Sequence, residues 1–170
     1  MERTVVVLVD ELDNEIGTME KMAAHLSPNL HRAFSVFIFN ADGAMLLQQR
    51  ADGKYHSSGL WTNACCSHPA PGEDVRQSAM KRLQEEMGFT VNIQEAFSFI
   101  YQANLTNGLV EYEYDHVFVG TYNGPIAPEP AEVQDFCYKT IEDIEQDIIN
   151  DPDAYTEWFK IALPLVKELK

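Results

Sequence analysis

Five residues of this chain have the side-chain types of one metal site: His25, His31, His68, Glu111 and Glu113. The two glutamates stand two positions apart, so in a strand both carboxylates leave the same face. Same-face carboxylates repel unless a cation or a proton is shared between them. A mixed imidazole and carboxylate set suits Mn²⁺ or Zn²⁺ and also accommodates Mg²⁺. The plainer alternative is a scatter of surface residues in an acidic protein, since spacing alone does not make the five converge. Cys66 lies two residues before His68, which puts a thiol beside an imidazole or, on the other reading, a packed and inert cysteine. Cys65 and Cys137 are assigned to the inert class, because a paired-cysteine zinc site needs more thiols in metal spacing.

A second set of residues concerns anions. The chain has 12 Lys and Arg against 27 Asp and Glu, a formal charge of −15 that opposes nucleic acid, anionic membranes and phosphorylated ligands at long range. Neither nucleic acid nor membrane is therefore expected as a partner. A phosphorylated small molecule would need cations placed locally, either side chains or metal ions. Lys21, Arg50, Lys54 and Arg82 are candidates, although a cation of this kind taken alone is more often a solvated surface charge. Arg82 and Glu86 are spaced as an i,i+4 ion pair, as are Lys81 and Glu85. The functional alternative makes Glu86 a ligand for Mg²⁺ on a phosphate, since that hard ion prefers oxygen.

The elements that would position these residues are legible as patterns. With 170 residues, 45% hydrophobic and 23% charged, the chain is the size of one domain with one buried core. Val5 to Val9, which follows Met1-Glu2-Arg3-Thr4, is too short for a membrane span or signal segment and reads as a strand of a cytoplasmic protein. Three cysteines do not make a disulfide framework, so reduced thiols are expected. Asp13 to Gly17 reads as a turn and Met19 to Leu26 as a short helix before Pro28. Ala33 to Phe39 and Ala44 to Gln49 form a predicted hairpin through Asp42-Gly43, followed by a polar loop from Arg50 to Ser58. Glu73 to Met87 is the best helix, with Val75, Ala79, Leu83 and Met87 every four residues and Gly88 as its stop. Its opposite face carries Arg82, Glu85 and Glu86. Strands are predicted at Thr90 to Tyr101, at Val110 to Gly120 through Asn107-Gly108, and at Val133 to Tyr138. Ile141 to Asn150 and Ala154 to Leu169 read as helices, with Pro164 kinking or dividing the last. No repeat or linker is visible, and the order suggests an α/β sandwich rather than a regular βαβ alternation.

Ser67 to Phe89 resembles a degenerate Nudix box, G-x5-E-x7-R-E-U-x-E-E-x-G-U with U a bulky apolar residue. Glu73, Leu83, Glu85, Glu86, Gly88 and Phe89 match; Ser67 replaces Gly, Lys81 replaces Arg, and Arg82 replaces the first Glu of the R-E pair. Such an altered box resembles that of type I isopentenyl diphosphate isomerases, where it follows a tract like W-T-N-x-x-C-G-H-P. Trp61-Thr62-Asn63-Ala64-Cys65-Cys66-Ser67-His68-Pro69 matches except at Ser67. The likeness continues through Glu20 to His25, His31, Ala33-Phe34-Ser35, Arg50, Lys54, Tyr101, Glu111-Tyr112-Glu113 and Trp158, and so spans nearly the whole chain.

The resemblance implies a Nudix fold of α/β (α+β) class, one domain over residues 1–170 with mixed β-sheets between helices. It implies one divalent ion (Mn²⁺, Zn²⁺ or Mg²⁺) on His25, His31, His68, Glu111 and Glu113. Glu86 with the Cys66 carbonyl would hold a Mg²⁺ that chelates the substrate diphosphate, and Lys21, Arg50, Lys54 and Arg82 would complete the anion site. The implied substrate is an isoprenoid diphosphate. Cys66 would face Glu113, assisted by Tyr101, across its alkene. Trp158 would stabilise a carbocation, and Trp61 is expected on the pocket wall. If the replaced glycine of the tract uses a positive φ, Ser67 carries a steric cost there. The competing readings are a Nudix hydrolase of a nucleoside or other diphosphate, which the loss of a box carboxylate at Arg82 opposes, and a non-catalytic ligand-binding module.

Overall fold

Both faces of the segment His31–Phe39 are buried, which makes it the hub of the sheet. The structure is a computed structural model that describes residues 4–170; Met1, Glu2 and Arg3 lie outside the described residues. This strand, β3, runs parallel to β8 (Val110–Thr121), with His31 opposite Glu113 and Phe39 opposite Thr121. Its other edge is shared along its length. β1 (Val5–Val9) meets it at His31, β6 (Cys65–Ser67) in the middle with Cys66 opposite Ser35, and β4 (Met45–Arg50) at Phe39. β7 (Gln94–Asn104) adds to the far side of β8 with Tyr101 opposite Glu113. β2 (Glu15–Glu20) pairs with β1, while β5 (Trp61–Thr62) and β9 (Val133–Lys139) pair with β4.

Alternation along β3 builds a core on each face of this mixed sheet. Phe34, Val36 and Ile38, with Leu46, Cys65 and Phe118, pack beneath Ala79, Leu83 and Met87 of α2 (Val75–Met87). Phe37 and Phe39, with Met45, Leu47 and Val117, pack against Ile144 of α3 (Ile141–Asn150) and Phe159, Leu163 and Val166 of α4 (Glu157–Lys167). Helices thus cover both faces, the layered arrangement expected. Among the described residues no helix is long and apolar enough to cross a membrane.

Several expected elements differ. Met19 and Glu20 belong to β2, paired with Val6 and Val5, so the first helix, α1, shortens to Lys21–Leu26. Glu20 accepts from the Ala23 N–H and caps it. The preceding turn sits at Asp10 to Asn14, where the Asp10 carboxylate accepts from the backbone of Leu12 and Asn14. The β3–β4 hairpin separates after Phe39–Met45, because both strands find other partners. The Trp61 to Pro69 tract, assigned no element above, contains two short strands. α4 begins at Glu157 and continues through Pro164; burial of Trp158, Phe159, Ala162, Leu163 and Val166 outweighs the one lost hydrogen bond.

α2 starts where Asp74 accepts from the Gln77 N–H and stops at Gly88, whose φ of 76° is left-handed. A Cβ at Gly88 would collide with the Ala127 carbonyl oxygen. Gly88→Ala is therefore expected to destabilise the fold by more than about 1 kcal/mol, measured as a lower urea midpoint at unchanged slope.

Candidate active site and metal centre

The period-two alternation that builds the cores also builds the site. On β8, Glu111, Glu113 and Asp115 share one face with His31 and Ser35 of β3 and with Phe99, Tyr101 and Ala103 of β7. On β6 the same rule sends Cys66 toward this face and Cys65 into the core under α2. His25 comes from the last turn of α1, and His68 follows β6 directly. His31 opens β3.

The histidine nitrogens of His25, His31 and His68 and a Glu113 oxygen lie within 4.8 Å of one another, all buried. His25 and His31 each donate Nδ1–H to a backbone carbonyl, Lys21 at 2.7 Å and Asn29 at 2.8 Å. Nε2 of each ring therefore turns inward, where it would offer a lone pair once unprotonated, the arrangement of metal-binding histidines. His25 Nε2 is buried without a hydrogen-bond partner and lies 3.9 Å from a Glu111 oxygen. His68 Nε2 stands 2.8 Å and His31 Nε2 3.2 Å from the same Glu113 oxygen. Tyr101 Oη reaches both Glu113, at 2.6 Å, and Glu111. A single phenol hydrogen cannot serve two carboxylates, so a proton or a cation must complete the cluster. These donors fit a divalent ion.

Electrostatics follow from this packing. Burial and then the charge of Glu113 push Glu111 well above the usual carboxylate range. Burial alone would also raise Glu113, but the imidazoles of His68 and His31 hold it well below that range. His31 is opposed by burial, yet its bond to Glu113 keeps its pKa raised, whereas burial takes His68 down to about 4. Burial also lowers His25. Cys66 and Tyr101 are both pushed up by burial, so thiol and phenol keep their protons.

One cavity is lined by Cys66, Tyr101, Glu111 and Glu113 together with Glu86, Trp158 and the cations Lys21, Arg50, Lys54 and Arg82. The Trp158 indole N–H donates to the Cys66 sulfur at 3.2 Å, and the thiol lies 3.1 Å from Asn63 Oδ1. The Arg50 guanidinium sits 5.2 Å from the Trp158 ring centroid. The Arg82–Glu86 pair exists at 2.8 Å but is largely buried rather than a surface pair, and Gln48 donates to Glu86 at 2.9 Å. Arg82 and Lys54 also bind Glu132, which sequence reasoning missed. Missed too were His56, buried in what read as a polar loop, and Asp115, which the alternation Glu111, Glu113, Asp115 would have flagged.

Two expectations are corrected. Trp61 does not line this cavity; it borders a separate depression with Lys139, Asp147 and Tyr155, because β5 pairs with β4 and Trp61 is bridged to Tyr155. Ser67 lies in extended β6 and is not among the residues with positive φ, so it carries no left-handed strain.

Comparison with known proteins fits this geometry. The NUDIX domain family matches residues 29–159. An isopentenyl-diphosphate Delta-isomerase of Pectobacterium atrosepticum is 45% identical over 99% of this chain and 94% of its own. The chain belongs to the isopentenyl-diphosphate Delta-isomerase family of Nudix proteins. A second member, isopentenyl-diphosphate Delta-isomerase 2 of Photorhabdus laumondii, is 49% identical over 92% of this chain and 88% of its own. The crystal structure of DR0079 from Deinococcus radiodurans superposes with a TM-score of 0.76 at 15% identity, covering 94% of this chain and 97% of that one, which shows the shared fold.

A metal entering this buried histidine and glutamate cluster would compete with the protons that the raised pKa values of His31 and Glu111 favour. Affinity for Mn²⁺ or Zn²⁺ should therefore fall as the pH is lowered and these groups gain protons, with proton release on binding. Calorimetric titrations in two buffers of different ionisation heat measure both; pH-independent affinity without proton release would contradict the site.

Proposed function

We propose that this chain interconverts isopentenyl diphosphate and dimethylallyl diphosphate, moving a carbon–carbon double bond by protonation and deprotonation, within one domain spanning residues 1–170. The observation that carries the reading is a single cavity holding a protonated thiol, Cys66, and a carboxylate bonded to a phenol, Glu113 and Tyr101. An unactivated terminal alkene needs an acid to form a tertiary carbocation and a base to remove a proton from the neighbouring carbon. Cys66 and the Glu113–Tyr101 pair fill these roles from opposite faces of the allylic unit and exchange them in the reverse direction. Trp158 offers a π face to the cation, and the buried walls exclude water that would capture it.

His25, His31, His68, Glu111 and Glu113 would hold one divalent ion, Mn²⁺, Zn²⁺ or Mg²⁺. Glu86 with the Cys66 carbonyl would hold Mg²⁺ on the substrate diphosphate. When bound, these ions supply the positive charge that an acidic chain needs to accept a diphosphate. Lys21, Arg50, Lys54 and Arg82 orient the phosphates, with Lys54 and Arg82 exchanging Glu132 for the ligand. The chain works in the cytoplasm on this small molecule, without nucleic acid or membrane as partner.

Incubation of metal-replete protein with isopentenyl diphosphate should yield dimethylallyl diphosphate without phosphate release. Phosphate release without an isomerised alkene would replace this reading with that of a hydrolase. Cys66→Ala and Glu113→Gln should each lower turnover by roughly 10²–10⁴-fold or more while the chain stays folded by circular dichroism. Cys65→Ala should retain most turnover, because Cys65 faces the core; its inactivity in a folded chain would mean the acting thiol is misassigned.

A further inference from the structure

His56 is 3% exposed, yet it belongs to the loop between β4 and β5 and has no part in the chemistry above. The loop is built to hold it there. Ser57 adopts a left-handed φ of 54°, unfavourable for a residue with a Cβ, and its N–H donates to Thr106 Oγ1 at 2.8 Å. Arg50 donates to the His56 carbonyl at 3.2 Å. His56 Nδ1 lies 3.0 Å from Ser57 Oγ; with Nδ1–H donated there, Nε2 presents its lone pair.

The donor atoms of His56, His25 and Glu111 lie within 4.8 Å of one another. His25 thus belongs to two overlapping donor sets, the other being His31, His68 and Glu113. Its Nδ1 is occupied by the Lys21 carbonyl, so only Nε2 can bind an ion, and that atom has no hydrogen-bond partner. One nitrogen binds one ion. Because the two sets share this one nitrogen, a single ion on it is placed to draw donors from both; His56 and Glu111 are not within 4.8 Å of all of His31, His68 and Glu113 and would have to close on that ion.

We propose that His56 is a further ligand of this ion, giving it six protein donors: four imidazoles and the carboxylates of Glu111 and Glu113. The inference rests on the metal reading above and deepens it. Six protein donors fill an octahedral shell and leave no position for water, so the ion is closed in the manner of a structural site. That suits a reaction through a carbocation, which needs a dry pocket, and not a hydrolysis, which needs an activated water.

The test uses the full chain loaded with Mn²⁺ and measures solvent-proton relaxation, which reports exchangeable water on the ion. The wild type should show the low relaxivity of an ion without bound water. His56→Ala should raise relaxivity by admitting water and weaken Mn²⁺ binding at least the roughly tenfold that even outer-shell losses produce. X-ray absorption of the zinc-loaded wild type requires no variant and should count four imidazoles. Three imidazoles, or high relaxivity in the wild type that His56→Ala leaves unchanged, would overturn the assignment of His56. Failure of the wild type to bind Mn²⁺ or Zn²⁺ at all would instead remove the metal reading, and this one with it.

Discussion

A buried carboxylate must be matched by donors or cations, and in this protein that carboxylate is Glu113. It receives His31 and His68 on one oxygen and Tyr101 on the other, from β3, from the segment after β6, and from β7. Removing one partner of a buried pair of this kind typically costs about 3–5 kcal/mol, so the cluster ties the sheet register to the chemistry. The parallel alignment of His31 with Glu113 and the antiparallel alignment of Tyr101 with Glu113 are one constraint seen from two sides. A one-residue slip of β8 would send Glu111, Glu113 and Asp115 to the opposite face and leave the histidines facing Tyr112 and Tyr114.

The same constraint orders the charges. A chain of net charge −15 gathers four cations around one cavity and holds two of them, Lys54 and Arg82, with the carboxylate of Glu132. On the proposed reading, anion binding exchanges one negative partner of Lys54 and Arg82 for another. Trp158 links this side to the thiol: Arg50 lies over its ring while its N–H points at the Cys66 sulfur.

Much of this was legible in the residues. The Trp61 to Pro69 tract, the altered box ending at Phe89 and the paired Glu111 and Glu113 indicated fold, family and most of the cavity lining. Two kinds of feature were hidden. Pairing between distant strands took Met19 and Glu20 from a predicted helix into β2 and set Trp61 beside β4 rather than in the cavity. Burial of loop residues also left no periodic trace: His56 lies among polar neighbours, and only three-dimensional closure brings it to His25 and Glu111. Cys65 and Cys66 show the reverse case, where a single step of strand alternation separates a core thiol from one in the cavity.

On the proposed reading, a thiol and a carboxylate exchange protons with the two ends of one allylic unit. Its most direct measurement is the turnover of isopentenyl diphosphate by the metal-loaded chain in D₂O, followed by NMR. Solvent deuterium should enter one of the two methyl groups of dimethylallyl diphosphate, the one formed from the terminal methylene, as the product forms. Product that forms without deuterium, or substrate that persists unlabelled, would contradict proton transfer through Cys66 and Glu113.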